Sequence, residues 1–331
     1  MYLQFRHRRH GYGVQVGSNA PARKFDQIPP LVPYKRPSPP ANFSTLSDTE
    51  LTVVTAYFDI GNFLKGPGGN MFTPQLYRNW MSVFARIRNP VVAYFDNADH
   101  AALMRILREK HPQTRIVVVN RRTLWSFREL EPCIAEIFLQ EGYPWHPPNT
   151  VWSTYSAAMH AKYELMQWTI RSNPFNSAYI CWLDIGLFRE LATDSVALSK
   201  SADKSFRLGL PPGLNTSHIA YSLVNAASED VHITAELVVT HNAVWVCGCF
   251  FVGRVDVMWQ WTSEYLLAVE EMVSEHWIST DQQLIYWLLL GEGRVKLKPN
   301  TSLQLYHLPS SSNKWFYLGY LAKKAGEQHA S

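Results

Sequence analysis

From residue 51 onward the chain alternates short apolar, β-branched runs with longer stretches of helical apolar spacing. Residues 51–58 read as a buried first strand closed by Asp59, Ile60 and Gly61. Helical sequence follows over 73–86, with Pro74 suited to a first turn. Residues 90–95 form a second run ending in Asp96 and Asn97; a helix over about 98–110 and a third run at 115–119 come next. A long helix is predicted over 154–172, closed by Pro174, and the apolar run 179–183 then ends on Asp184, Ile185 and Gly186. Farther on lie a strand-like stretch (244–253), an amphipathic helix (255–273), a helix capped by Ser279 or Thr280, and a short strand (303–306) before His307. The glycine-rich stretch 65–69 has neither of the familiar phosphate-binding spacings and reads as a flexible loop. Strand and helix in alternation predict an α/β domain, a mostly parallel sheet with flanking helices. Its ligand crevice is expected at the strand C-termini, where Thr55, Ala56, Tyr57, Asp96 and Asp184 gather.

Composition changes the picture mainly at the N-terminus. Residues 1–50 carry seven Lys or Arg against three acids and six prolines between 29 and 40, without apolar periodicity; this reads as a disordered, basic, Pro-rich tail or stalk. The formal charge of +4 is concentrated there, and residues 51–331, read as one domain, are balanced. A nucleic-acid binder concentrates cations on its folded face, so nucleic acid is not an expected partner. No run is long and apolar enough for a membrane span. Three Asn-x-Ser/Thr triplets, at Asn42, Asn215 and Asn300, mark a possible glycoprotein, although chance supplies nearly as many. The expected compartment is the secretory lumen, the Golgi, if an upstream anchor is missing, and the cytoplasm otherwise. Cys247 and Cys249 form a C-x-C with no second pair and do not make a zinc site; Cys133 and Cys181 stand apart.

Three charged positions carry candidate chemistry. Asp184 puts a carboxylate at the tip of a buried strand, where it can hold a divalent cation against a phosphate; its ordinary alternative is the cap of a turn. Lys162 lies within the long helix, where the ordinary alternative is a solvated charge. Asp281 opens a helix, where the ordinary alternative is a first-turn acid favoured by the dipole.

The ordered pieces Val53 to Gly61, Pro90 to Val92, Asn173 to Phe175, Trp182 to Gly186, Gly248 to Gly253 and Ser279 to Gln282 together resemble the HtrL/YibB-like family, and more distantly the GT-A glycosyltransferases of the glycogenin type, over roughly residues 51–320. The resemblance implies a GT-A-like nucleotide-diphospho-sugar transferase fold in which Thr55, Ala56 and Tyr57 line a uridine pocket, with Tyr57 stacking on the base and Asp96 at the same edge among the donor-binding residues. Asp184-Ile185-Gly186 stands where that group carries Asp-x-Asp, with one carboxylate of the two. By the same resemblance His307 completes a site for Mn2+ or Mg2+ with Asp184, Lys314 meets the diphosphate, Lys162 reaches the sugar nucleotide, and Asp281 faces the acceptor as an orienting group or base.

The function expected is therefore metal-assisted transfer of a sugar, from a nucleotide-diphosphate donor such as a UDP-sugar to a hydroxyl of a glycan or protein acceptor. Two other classes compete. One is a catalytically degenerate GT-A-like protein that only binds nucleotide or glycan, as the missing second Asp permits. The other is an interaction protein on the same scaffold, for which twelve tryptophans supply apolar surface if they are not in the core.

Overall fold

A computed structural model describes residues 28–40, 47–66, 68–192, 205–227, 229–308 and 313–328. Residues 1–27 of the expected tail and the triplet at Asn42 lie outside the described residues. The strands in chain order are β1 (Ser47–Tyr57), β2 (Phe63–Lys65), β3 (Asn70–Phe72), β4 (Val91–Phe95), β5 (Thr114–Val118), β6 (Ser177–Leu183), β7 (His218–Leu223), β8 (Val246–Arg254) and β9 (Ser302–Tyr306). The α-helices are α1 (Pro74–Met81), α2 (Ala98–Leu107), α3 (Glu131–Phe138), α4 (Ser153–Ser172), α5 (Ala235–Thr240), α6 (Val255–Ser274), α7 (Asp281–Leu290), α8 (Gly293–Leu297) and α9 (Tyr317–Gln328).

Seven strands form one sheet in the order β5-β4-β1-β6-β8-β7-β9, and β2 pairs with β3 in a separate hairpin. Every neighbouring pair in the large sheet is parallel except the two that involve β8. The mostly parallel α/β sheet with flanking helices is thus the architecture of the molecule. Three parallel strands from separate crossovers set its left half, since a parallel connection needs a long excursion and here each excursion carries a helix.

Strand periodicity of two decides what each face buries. On β6, Ile180 and Trp182 join the core that holds α4, α6 and α7, whereas Cys181 and Leu183 join the opposite core with α9. On β1, Val54 faces the first core, and Val53 and Tyr57 the second. A sheet buried on both faces needs near-continuous apolar runs, which is why β4 has no exposed residue. Helix α4 is buried over most of its circumference because it lies between β1 and β6 on one side and α3 and α6 on the other. Its Tyr163 ring stacks between Phe251 of β8 and Tyr265 of α6.

The N-terminal expectation needs correction. Residues 28–40 lie against the domain, and β1 begins at Ser47, inside the stretch read as tail. Tyr34 is buried edge-on against Trp125, and its N–H donates to Glu270 of α6 at 2.8 Å; Arg36 pairs with the same carboxylate at 2.9 Å. The Trp125 indole N–H donates to the Val32 carbonyl at 2.7 Å. Prolines remove backbone donors, so an extended strap can lie on helices with few unpaired N–H groups; the absence of periodicity marks a lack of regular structure and not a lack of packing. On either side of the glycine-rich stretch, β2 and β3 pair as an antiparallel hairpin whose Phe63 and Phe72 rings stack at 5.5 Å. Among the described residues no helix is long and apolar enough to cross a membrane.

If the strap is an integral layer, Tyr34→Ala will lower unfolding stability by about 2 kcal/mol through lost ring packing. An unchanged denaturation midpoint would show the strap to be a passive decoration.

Candidate functional site

At the C-terminal edge of the parallel strands lies a cavity of about 790 Å3, whose wall includes Ala56, Tyr57, Lys162, Asp184, Asp281 and Trp315. That volume suits a mid-sized organic ligand. The strand alternation that sends Ile180 and Trp182 toward α4 also aims the next residue of the series, Asp184, at that helix. There the Lys162 ammonium lies 3.4 Å from Asp184 Oδ1. Lys162 also donates to Asp281 Oδ2 at 3.1 Å and to the Gly248 carbonyl at 3.1 Å. An ammonium has three N–H bonds, and three acceptors surround this one.

The side chain of Lys162 is 3% exposed and that of Asp281 4%, while Asp184 keeps 32% and opens on the cavity. Burial alone would lower the lysine's pKa, but Asp184 and Asp281 outweigh it and hold the ammonium above the ordinary lysine range. The solvated-charge alternative for Lys162 therefore fails. Its expected reach to a sugar nucleotide also changes meaning: the geometry makes Lys162 a positioning residue that binds two carboxylates together. Asp281 is both the first residue of α7 and part of this ion triad.

Close approach at Gly248 makes the triad possible. A Cβ there would lie 2.0 Å from Asp281 Oδ2, so any side chain would push the carboxylate off Lys162. Alternation along β8 turns Cys247 and Cys249 to the α9 side, where they pair in a disulfide, and leaves the bare Gly248 facing α7. His160, one helical step from Lys162, fixes the segment that leads into α7. Its Nε2 donates to the Ser279 carbonyl at 3.2 Å, and Nδ1 shares a hydrogen bond of 2.7 Å with the Tyr265 hydroxyl, which can donate or accept. Burial, aided by the Lys162 charge, pushes its pKa down to about 3.

The other expected residues divide. Ala56 and Tyr57 line the cavity, but the Tyr57 ring is already engaged by Tyr77 at 4.7 Å and His100 at 4.8 Å. Thr55 is fully buried beneath them, its hydroxyl unpaired. Asp96 accepts from Asp59 N–H at 3.0 Å and pairs with Arg121, which also reaches the Asp59 carbonyl; it clamps the tips of β1 and β4 instead of facing the cavity. Lys314 is exposed and outside the cavity wall, although Asn313, Trp315 and Phe316 beside it line it. His307 follows β9, three strands from β6 in the sheet, and is exposed and outside the wall. With neighbouring strands about 4.8 Å apart, three steps separate the tips of β6 and β9 by roughly 14 Å. The expected Asp184–His307 pair is not brought together.

The donor set bears directly on a metal. Asp184 Oδ1 accepts from the Trp182 indole at 2.6 Å and faces Lys162, Asp281 is turned to the same lysine, and among the described residues no group of three His, Cys, Asp or Glu could hold an ion. A divalent cation held by protein alone needs several oxygen or nitrogen ligands, and these residues do not supply them.

Sequence reasoning missed two cations on the same wall, Lys65 at the hairpin turn and Arg189 just beyond Asp184. Lys65 Nζ sits 5.3 Å from the centre of the Tyr155 ring, and the Arg189 guanidinium 4.7 Å from that of Phe316. Their only trace in the sequence is a basic residue near a candidate loop, which is too common to notice.

No family model matches the chain, and no curated protein matches it. Similar solved structures include mouse xyloside xylosyltransferase 1 in its apo form, at TM-score 0.36 and 11% identity over 84% of this chain and 94% of that one. Another is 4-diphosphocytidyl-2C-methyl-D-erythritol synthase from Anaerococcus prevotii DSM 20548, at TM-score 0.30 and 9% identity over 82% and 96%. Likenesses this loose leave the function to be argued from the site itself.

A neutral buried His160 has a sign-definite consequence. Its folded pKa lies below that of the unfolded chain, so unfolding takes up a proton below about pH 6.5, and stability falls as pH falls. Between pH 6 and 4 the protein should lose about 1.4 kcal/mol per unit more than His160→Gln does. Parallel stability profiles for the two proteins would show that the ring is protonated in the fold.

Proposed function

We propose that the cavity binds a nucleotide-diphosphate sugar and that the protein transfers the sugar to a hydroxyl acceptor. The observation that carries this reading is the Lys162–Asp184–Asp281 triad on the wall of a cavity of about 790 Å3 at the C-terminal edge of a parallel sheet. Open α/β sheets bind ligands at that edge, and a carboxylate held on a buried ammonium is a preorganised acceptor for sugar hydroxyls. The motif resemblance to the HtrL/YibB-like and glycogenin-type groups belongs to this proposal and supports the choice of a UDP-sugar.

In the reaction, the bond between the sugar's anomeric carbon and the diphosphate oxygen breaks, with its electron pair staying on the diphosphate. The acceptor oxygen forms the new bond to that carbon, and in the overall balance its proton passes to the departing diphosphate. Asp184, the exposed member of the triad, orients the donor sugar. Lys162 holds Asp184 in place across 3.4 Å, and Asp281 holds Lys162 from behind. Trp145, 75% exposed at the cavity, offers an apolar ledge on the acceptor side, on a loop tied down by His146 and Thr150.

The second reading, binding without turnover, is favoured by the engagement of Lys162 with Asp281, Gly248 and Asp184, which turns its charge toward the protein's own groups. Thermal shift and nucleotide-release assays over a panel of sugar nucleotides separate the two. We expect at least one UDP-sugar to raise the melting temperature by several degrees and to be turned over. Asp184→Asn should cut transfer by about 100-fold or more, the scale of a lost electrostatic contact, while the melting temperature stays within a few degrees. Stabilisation without release of nucleoside diphosphate would establish the binding-only reading, and no stabilisation by any donor would refute both.

A further inference from the structure

The cavity wall already carries its own counter-charge. Its charged residues are Lys65, Lys162, Arg189, Asp184 and Asp281, three cations against two carboxylates, a formal net of +1. Lys162 is spent on the two carboxylates and on Gly248. Lys65 and Arg189 are different: among the described residues neither has a carboxylate partner within ion-pair distance, and each rests on two aromatic rings. Lys65 lies over Tyr155 and Phe72, and Arg189 over Phe316 and Trp80. Rings fix where these long side chains stand, and so reduce the rotamer entropy lost when an anion arrives.

Trp80, under Arg189, packs on Gly186, two residues past Asp184. Its neighbour Tyr77, at 5.0 Å, also packs against Phe63 and Phe72 of the hairpin that carries Lys65. The packing on Gly186 excludes a second carboxylate. A Cβ at residue 186 would stand 2.9 Å from Trp80 Cε3 and 3.1 Å from Cζ3, so no side chain fits there while the indole keeps its place. The position that would complete an Asp-x-Asp is closed sterically, and the wall holds two unpaired cations next to it.

From this we infer that the cavity binds the diphosphate of its nucleotide without a divalent cation, on the Lys65 ammonium and the Arg189 guanidinium. The inference rests on the nucleotide-sugar reading and deepens it by naming what holds the anion. A guanidinium fork matches two phosphate oxygens, and an ammonium acts as a point charge beside it. Beside the low-dielectric faces of aromatic rings, both interactions are stronger than in bulk water. The bound anion would carry the wall from a positive to a negative net charge, as a product that must leave requires.

Isothermal titration of the full chain with UDP, CDP, GDP and ADP, each in 1 mM MnCl2 and again in EDTA, tests the proposal. The expected result is that at least one nucleoside diphosphate binds with dissociation constants that agree within about twofold in the two buffers. Arg189→Met and Lys65→Met should each weaken that binding about tenfold or more, with melting temperatures unchanged to within a few degrees. Gly186→Asp should not create manganese dependence. Binding that needs manganese, or that survives loss of both cations, would overturn the inference while leaving the nucleotide-sugar reading intact. Failure of all four nucleotides in both buffers would remove that reading and the inference together.

Discussion

A single buried ammonium, Lys162, organises the site. Removing a charge of this kind from water is costly, and attraction compensates only if every donor finds an acceptor. Lys162 has hydrogen bonds to Asp281 and the Gly248 carbonyl and an ion pair with Asp184, partners that come from three separate elements. Helix α4, the tip of β6 and the start of α7 are thereby held in register by electrostatics as well as by packing. The two carboxylates differ in role: Asp281 is buried with the lysine, whereas Asp184 joins it to the open cavity. Around it, His160 is kept neutral by burial, so that it can hold Ser279 by a hydrogen bond without adding a second positive charge beside Lys162.

Much of the architecture could be read from residue order. The strands β1, β4, β5, β6 and β8 follow from apolar runs, because a sheet covered on both faces leaves no polar alternation to blur them. Strand β7 escaped notice: His218–Leu223 is short and follows an exposed polar stretch at 215–217. Helix α3 and the π-helical turn of residues 126–130 before it were hidden in an aromatic-rich segment with no clear period, since packing on α4 and not amphipathicity defines them. The strap at 28–40 was misjudged for the same reason. It is held by main-chain bonds to Glu270 and by single ring contacts, and neither leaves a periodic trace.

The site was legible as a set of names and illegible as a set of relations. Asp184, Lys162 and Asp281 stood out because of their positions at a strand tip, in a helix and at a helix start. That they neutralise one another follows from register: Asp184 shares the face of Trp182, and Gly248 has no side chain where Asp281 must enter. Analogy placed His307 and Lys314 in the site because it transfers order along a chain more faithfully than distance in space. Lys65 and Arg189 were overlooked because their reach depends on aromatic neighbours remote in sequence, Tyr155 and Phe316 among them.

The contact between Gly186 and Trp80 bears on how such a site can change over generations. An acidic residue is one base substitution away from any glycine codon, yet here that mutant would drive its first carbon into an indole. The ring would have to be replaced first, and replacing it would leave Arg189 with Phe316 alone of its two rings. Either order of events disturbs the wall before it adds a carboxylate, so steric history weighs against the change.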